Sequence, residues 1–364
     1  DKKQAAKVIG NTVTLFMVGS VVLAAALVGL VDPIVRLIST PEEAVAGTTA
    51  YLTICFIGIP CITAYNVLAS IFRGMGDSRS PMYFIAAACV VNIGLDFFFM
   101  GALRLGPAGA ALGTTLSQAV SVLLALCVIL KRKSIRLSKS DFCPRKATMK
   151  DILSIGLPVA AQDGFIQVSF MLITIMANQR GLTDAAAVGS VEKIISFLFL
   201  VPSSMLSTVS ALGAQNIGAG KYDRTDDILR YAIAIGVGFG AVIALLMQFI
   251  APSVVRPFTS DEAVVKAGAA YIRSYIFDCL FAGIQFSFSG YFCAWGRSGL
   301  SFLHNTLSIL LVRVPGAWLA CRFFPQTLVP MGLAPACGSL FSSIVCILLY
   351  RWMKRQNKPA GDKD

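Results

Sequence analysis

The sequence predicts an all-α integral membrane protein, a polytopic helical bundle of two pseudo-symmetric six-helix lobes with ten spans present here and twelve expected. Three observations carry this. The 364 residues are 56% hydrophobic and 14% charged, where soluble domains run near 25% charged, and the mean hydropathy is +0.74. The apolar residues gather into runs of roughly the 20 residues that a helix needs to cross a hydrocarbon core. The second half of the chain repeats the first at a constant offset. This composition excludes a disordered chain, a coiled coil and a small disulfide-stapled module, and it argues against a cytosolic enzyme.

The apolar runs fall near 8–31, 48–72, 82–102, 107–130, 151–175, 185–209, 226–251, 264–293, 300–322 and 329–352. None shows the period-2 alternation of a membrane β-barrel. The net charge of +12 reads as topology rather than as a nucleic-acid partner, because the basic residues sit in short loops between runs. The side holding loop 131–150 carries 22 Lys and Arg, whereas the other carries six: Arg36, Arg104, Arg180, Arg256, Lys266 and Arg322. The basic side is therefore expected in the cytoplasm, with both chain ends cytoplasmic and the protein multi-pass in the plasma (inner) membrane. The expected organisation is an N-terminal lobe over 1–130 with four of its six helices, a basic cytoplasmic linker over 131–150, a six-helix C-terminal lobe over 151–352 and a tail over 353–364.

Shifted by 220 residues, the segment 38–78 falls on 258–298 with Glu42, Val45, Ala50, Tyr51, Phe72, Gly76 and Ser78 matched. At a shift of 223, Gly106-Pro-Ala-Gly109 meets Val329-Pro-Met-Gly332, keeping the Pro-x-Gly. The first half lacks a counterpart of about 150–220, so roughly 70 residues, or two helices, are expected ahead of Asp1. A parallel repeat of six helices joined by a basic linker reads as a two-lobed transporter.

The ten cysteines are scattered, mostly within the runs, and form no metal-binding spacing. One histidine, His304, makes no metal site alone. There is no GxxxxGK[ST] phosphate loop, which leaves ATP-driven transport unsupported, and no catalytic triad is possible around a single histidine. No enzyme, no cofactor and no nucleic-acid partner are expected.

Charged groups inside a bilayer are costly and each is a functional candidate. Asp96 leads. Asn92 lies one turn before it on the same helical face. The next run returns across a short loop centred near Leu105, which sets Thr114 level with Asp96 and Gln118 level with Asn92. Oxygen ligands at one depth suit Na⁺, and a buried carboxylate suits a proton. A structural Asp satisfied by its neighbours is the other reading. Asp163, with Gln167 one turn on, is read as cavity lining, a cation site or a structural group. Glu192 and Lys193 point about 100° apart and each needs its own partner. Lys193, like Gln118, is a substrate-cavity candidate, and the alternative for Lys193 is a structural ion pair with Asp163 or Asp278. Arg313 reads as a helix-to-helix brace, and the roles of Glu192, Asp278 and Arg313 stay open. Asn66 and Gln285, polar within apolar runs, are cavity candidates or helix bridges. Pro60, Pro158 and Pro315 lie within spans, either to kink them or to be simply tolerated.

The ordered set Arg73-Gly-Met-Gly-Asp77-Ser-Arg79-Ser-Pro81, Asn92-Ile-Gly-Leu-Asp96, Gly106-Pro-Ala-Gly109-Ala-Ala-Leu-Gly-Thr114-Thr-Leu-Ser117-Gln118, Gly156-Leu-Pro158 and Gln215-Asn-Ile-Gly218-Ala-Gly220 resembles the multidrug and toxic compound extrusion (MATE) family across essentially the whole chain. The resemblance implies twelve helices in two lobes, with helices three to twelve matched here. It implies efflux of amphipathic, often cationic, organic compounds by H⁺- or Na⁺-coupled antiport, with Asn92, Asp96 and Thr114 at the coupling site and a partner carboxylate on helix one. Another branch of the family carries a Glu near the position of Gln167, from which this sequence departs. Arg313 before Pro315 is similar to a recurring feature of helix eleven. A monomer suffices for this design. The competing expectations are a lipid-linked oligosaccharide flippase of the same superfamily and an inactive membrane fragment.

Overall fold

A computed structural model describes residues 2–37, 41–132 and 138–356. In chain order the helices are α1 (Lys2–Gly29), α2 (Val31–Leu37), α3 (Glu42–Gly74), α4 (Arg79–Asp96), α5 (Gly106–Arg132), α6 (Lys146–Asn178), α7 (Leu182–Leu198), α8 (Leu200–Gly218), α9 (Tyr222–Val255), α10 (Glu262–Tyr275), α11 (Phe277–Ala294), α12 (Ser298–Ser308), α13 (Val314–Phe323) and α14 (Val329–Gln356). Wider π-helical turns at Phe97–Ala102 and Ile309–Arg313 continue α4 and α12. Among the described residues ten helical stretches are long and apolar enough to cross a membrane, and each overlaps one of the ten runs read from sequence. The molecule is an all-α membrane bundle. Large apolar side chains such as Leu123, Phe197 and Phe249 are exposed, as suits helices surrounded by hydrocarbon.

The chain divides into two compact units, Asp1–Ile152 and Leu153–Asp364. In the first, α3 packs against α1 and α5, and α5 packs against α4. Tyr65, Leu68, Phe72, Phe84 and Ala125 form its buried core. The segment after α5 is tied to α1. Asn11, fully buried, donates from Nδ2 to the Asp141 carbonyl at 3.1 Å and accepts from the Arg145 amide at 2.7 Å, and Thr14 donates to the Phe142 carbonyl at 2.8 Å. Gly10 admits this backbone, because a Cβ there would lie 2.6 Å from the Asp141 carbonyl carbon. Asp141 closes a capping box with Ser138, whose amide and hydroxyl both donate to Oδ2 at 2.9 Å. Those two donors hold its carboxyl below the ordinary carboxylate range.

The second unit is built around α11, which packs against α8, α9 and α14. The α9 contact is a glycine crossing. A Cβ on Gly236 would sit 2.9 Å from the Gly283 Cα, and one on Gly240 would sit 2.6 Å from the Leu280 Cα. Gly236 and Gly240 form the small-xxx-small spacing that brings membrane helices into backbone contact.

The repeat is visible in the architecture. The span Glu42–Gly74 and the span Glu262–Ala294 begin and end 220 residues apart. The glycines that follow them, Gly76 and Gly296, hold φ of 87° and 70°, which side chains with a Cβ rarely adopt. Each next span, Arg79–Ala102 and Ser298–Phe323, contains a π-helical turn.

The prolines stand in different local settings. Pro60 and Pro158 lie inside α3 and α6, which run on through them. The turn at Phe199 instead precedes Pro202, whose missing N–H leaves the Leu198 carbonyl without its helical donor. That carbonyl accepts the Cys279 thiol at 3.9 Å. Pro315 alone among the three expected prolines stands at a disruption, immediately after the second π turn.

Candidate functional site

Asp96 is the last residue of α4, and the π-helical turn begins at Phe97. Such turns inside α-helices gather at functional sites, because the extra residue reorients side chains at the step. Asn92 donates from Nδ2 to Asp96 Oδ1 at 3.4 Å, and both residues are half-buried. Across from them on α5 stands Gly113. A Cβ there would overlap Asp96 Oδ1 and would lie 3.5 Å from Asn92 Nδ2. The carboxylate thus faces a bare stretch of helix. The residue that meets it is Gly113, whereas the depth argument set Thr114 opposite. Thr114 is exposed, and its carbonyl accepts the Ser117 hydroxyl at 2.8 Å. Gln118, one turn on, keeps a buried Oε1 with no hydrogen-bond partner. It is an unused acceptor on the helix that faces Asp96.

The other candidates divide sharply by exposure. Asn66, Asp163, Gln167 and Lys193 are exposed, and Asn66 Nδ2 donates to the Ile62 carbonyl at 3.0 Å. Glu192 is half-buried and accepts from Thr174 Oγ1 at 2.7 Å. Gln285 is buried and bridges α11 to α14, donating to Ser339 Oγ at 3.0 Å. The alternative that Lys193 pairs with Asp278 is not met. Asp278 is fully buried and its ionic partner is Arg313, at 4.0 Å. The reason is positional: the π turn Ile309–Arg313 presents Arg313 inside the unit, while Lys193 on α7 points outward.

Arg313 joins several elements, as a brace does. It donates to the Tyr275 hydroxyl at 3.0 Å, and its guanidinium carbon lies 4.7 Å from the Phe170 ring centre. Neither Asp278 oxygen has a donor in hydrogen-bonding geometry, although the Tyr275 and Ser339 hydroxyls neighbour it. Among the described residues no group of three or more His, Cys, Asp or Glu side chains is placed to hold a metal ion. His304, read from sequence as isolated, is fully buried between two hydroxyls: Nε2 meets Ser289 Oγ at 3.0 Å and Nδ1 meets Ser342 Oγ at 2.7 Å.

The first unit thus carries an Asn–Asp pair at a π turn, and its helices share a repeat spacing with those of the second. The family model described as MatE matches residues 1–98 and 158–319. The chain belongs to the MatE family. Among curated relatives of this MatE chain, the probable multidrug resistance protein YpnP of Bacillus subtilis is 30% identical over 355 residues, covering 97% of this chain and 78% of that protein. The probable multidrug resistance protein NorM of Thermotoga maritima is 22% identical over 98% of this chain and 78% of its own length. The multidrug export protein MepA of Staphylococcus aureus is 26% identical over 73% of this chain and 59% of its own length. Solved structures share the fold. A MOP-superfamily transporter from Pyrococcus furiosus superposes with a TM-score of 0.93 at 22% identity, covering 99% of this chain and 81% of that one. An outward-facing multidrug resistance MATE transporter superposes at 0.91 and 22%, covering 98% of this chain and 80% of that one. The MatE chain is thus a multi-pass membrane protein of a multidrug efflux transporter family.

Proposed function

We propose that this chain works as a secondary active exporter rather than an enzyme, in which inward movement of H⁺ or Na⁺ through the Asp96 site drives expulsion of amphipathic, cationic organic compounds. The supporting observation is the Asn92–Asp96 pair facing Gly113. The pair sets a carboxylate, held by the Asn92 amide N–H, at a helix irregularity inside the first unit, and α5, the helix that faces it, carries the unpaired Gln118 acceptor. Oxygen donors of this kind suit a hard cation, and a membrane carboxylate is also suited to carry a proton. The transport names of the relatives point the same way. Coupling requires that ion and drug favour different conformations or compete for one. In this reading the basic loop and both chain ends face the cytoplasm across the plasma membrane, no cofactor takes part, a monomer suffices, and Thr114, Asn66, Asp163, Gln167, Lys193 and Gln285 contribute to the coupling site or the substrate cavity.

The test is dye transport in proteoliposomes made from the full reading frame that encodes this chain. Na⁺ and pH gradients are imposed separately, with wild type compared against Asp96→Asn. Gradient-driven movement of a cationic dye that disappears in the variant is the expected result and names the ion. A folded protein that moves no dye under either gradient overturns the proposal.

A further inference from the structure

The interior of the second unit carries a polar stripe that the transport reading does not use. Along α12 and the π turn after it, Ser298, Ser301, His304, Asn305, Ser308 and Arg313 are all buried. Their partners come from other helices. Ser298 donates to the Ser154 carbonyl at 3.2 Å and Ser301 to Gln162 Oε1 at 2.6 Å. His304 meets Ser289 and Ser342, and Ser308 donates to the Gly338 carbonyl at 2.6 Å. The stripe ends at the Arg313–Asp278 pair, ~20 Å from Ser298 at helical rise.

The fold does not require this stripe. At the offset of 220, Ser301, His304 and Ser308 correspond to Pro81, Phe84 and Ala88, while Gln285 and Ser289 correspond to Tyr65 and Ala69. The packing is kept: Phe72 meets Phe84 with ring centres 5.5 Å apart, and Phe292 meets His304 at 6.2 Å. The same helices pack with a largely apolar set in one unit and a polar set in the other. The polar set is also incomplete. Gln162 Nε2, Ser169 Oγ, Asn305 Nδ2, Arg313 Nε and both Asp278 oxygens are buried without a hydrogen-bond partner, on residues more than nine-tenths buried. Unpaired donors on α6, α12 and the π turn, together with the unpaired Asp278 acceptors on α11, call for a ligand that both donates and accepts, and water is that ligand.

We propose that the second unit binds a file of water between α6, α11, α12 and α14, running from the Ser298 end to the Asp278–Arg313 pair and opening to solvent at the Ser298 end. The file solvates a charged pair that no protein donor completes, and it is the route by which the pair exchanges hydrogen with bulk water. The groups facing the pair are Tyr271 and Tyr275 from α10, the Phe170 ring from α6 and Ser339 from α14, and Glu192 from α7 neighbours the two tyrosines. The proposal stands independently of the efflux reading.

X-ray hydroxyl-radical footprinting of the whole protein in nanodiscs tests it, because radicals born from bound water modify side chains that bulk solvent does not reach. Phe292 and Tyr275 are 0% and 1% exposed, and Phe72, the counterpart of Phe292 in the first unit, is 1% exposed. Modification of Phe292 and Tyr275 severalfold faster than Phe72 is expected. Rates equal to that of Phe72 overturn the proposal. His304→Phe installs the side chain that the first unit carries at this position. It is expected to bring the Tyr275 rate down to that of Phe72 and to slow hydrogen exchange of the Arg313 guanidinium, followed by arginine-selective NMR. Unchanged exchange in a folded variant also counts against a water file. Ser308→Ala serves for the same measurement if His304→Phe does not fold.

Discussion

The Asp96 carboxylate rests against the bare backbone of Gly113, where a methyl group would overlap Oδ1. Gly113→Ala is therefore expected to displace the carboxylate from Asn92 and to abolish gradient-driven transport about as fully as Asp96→Asn. The fold should survive, since forcing one methyl into a packed site costs typically ~1–3 kcal/mol. Gly19→Ala on α1 is the control, because nothing lies within 4 Å of a Cβ there. Transport by Gly113→Ala at the wild-type rate would remove Gly113 from the site.

The buried Asp278–Arg313 pair predicts an asymmetry. Arg313→Met leaves a carboxylate without its counter-charge in the middle of the second unit, and breaking such a pair from one side costs about 3–5 kcal/mol. Replacing both, as Arg313→Met with Asp278→Leu, is expected to recover most of that loss. Thermal midpoints of the three proteins in one detergent decide the matter. A single Arg313→Met variant as stable as wild type would show that the pair is not the partnership the geometry indicates.

The sequence made the ten spans, the repeat and the Asn92–Asp96 face readable, because each depends on periodicity along one helix. Gly113 was missed for a physical reason. Counting outward from Leu105 fixes depth, but the rotation of α5 about its axis is set by packing, and a one-residue error turns a side chain by about 100°. The partner of Asp278 was misread for a related reason. Arg313 enters the interior from a π turn, and nothing in local periodicity announces one. The Gly236-x-x-x-Gly240 contact was not read from the sequence, and its partner Gly283 emerges only when α9 and α11 are placed together.

Asp141 predicts a pH window. Its folded carboxyl is held below the ordinary value near 3.8 by the Ser138 amide and hydroxyl, so the charged form stabilises the turn. That contribution is present above the ordinary carboxylate value and is lost as pH falls through the lower folded value. Hydrogen exchange of the Ser138–Asp141 amides, corrected for intrinsic rates, should show constant protection from neutral pH down to about 4 and loss below it. Asp141→Asn at neutral pH should show the same loss and faster trypsin cleavage at Lys139 and Arg145. Acid-independent protection would mean that the Asn11 and Thr14 contacts alone hold this segment.

Neighbouring glycines on α9 should respond with opposite signs. At Gly236 an added methyl meets the backbone of Gly283 at 2.9 Å, and a backbone cannot swing aside as a side chain can. Gly236→Ala must therefore push α9 away from α11 and loosen the dispersion contacts along the whole crossing, at a cost of roughly 1–3 kcal/mol. Gly283→Ala approaches the Gly236 carbonyl carbon to 2.7 Å and should cost as much. Gly238 faces open space, so Gly238→Ala removes only the unfolded-state freedom of glycine and should stabilise by about 0.4–1 kcal/mol. Equal destabilisation by Gly236→Ala and Gly238→Ala, read from thermal midpoints, would show that helix propensity rather than the close crossing governs this segment.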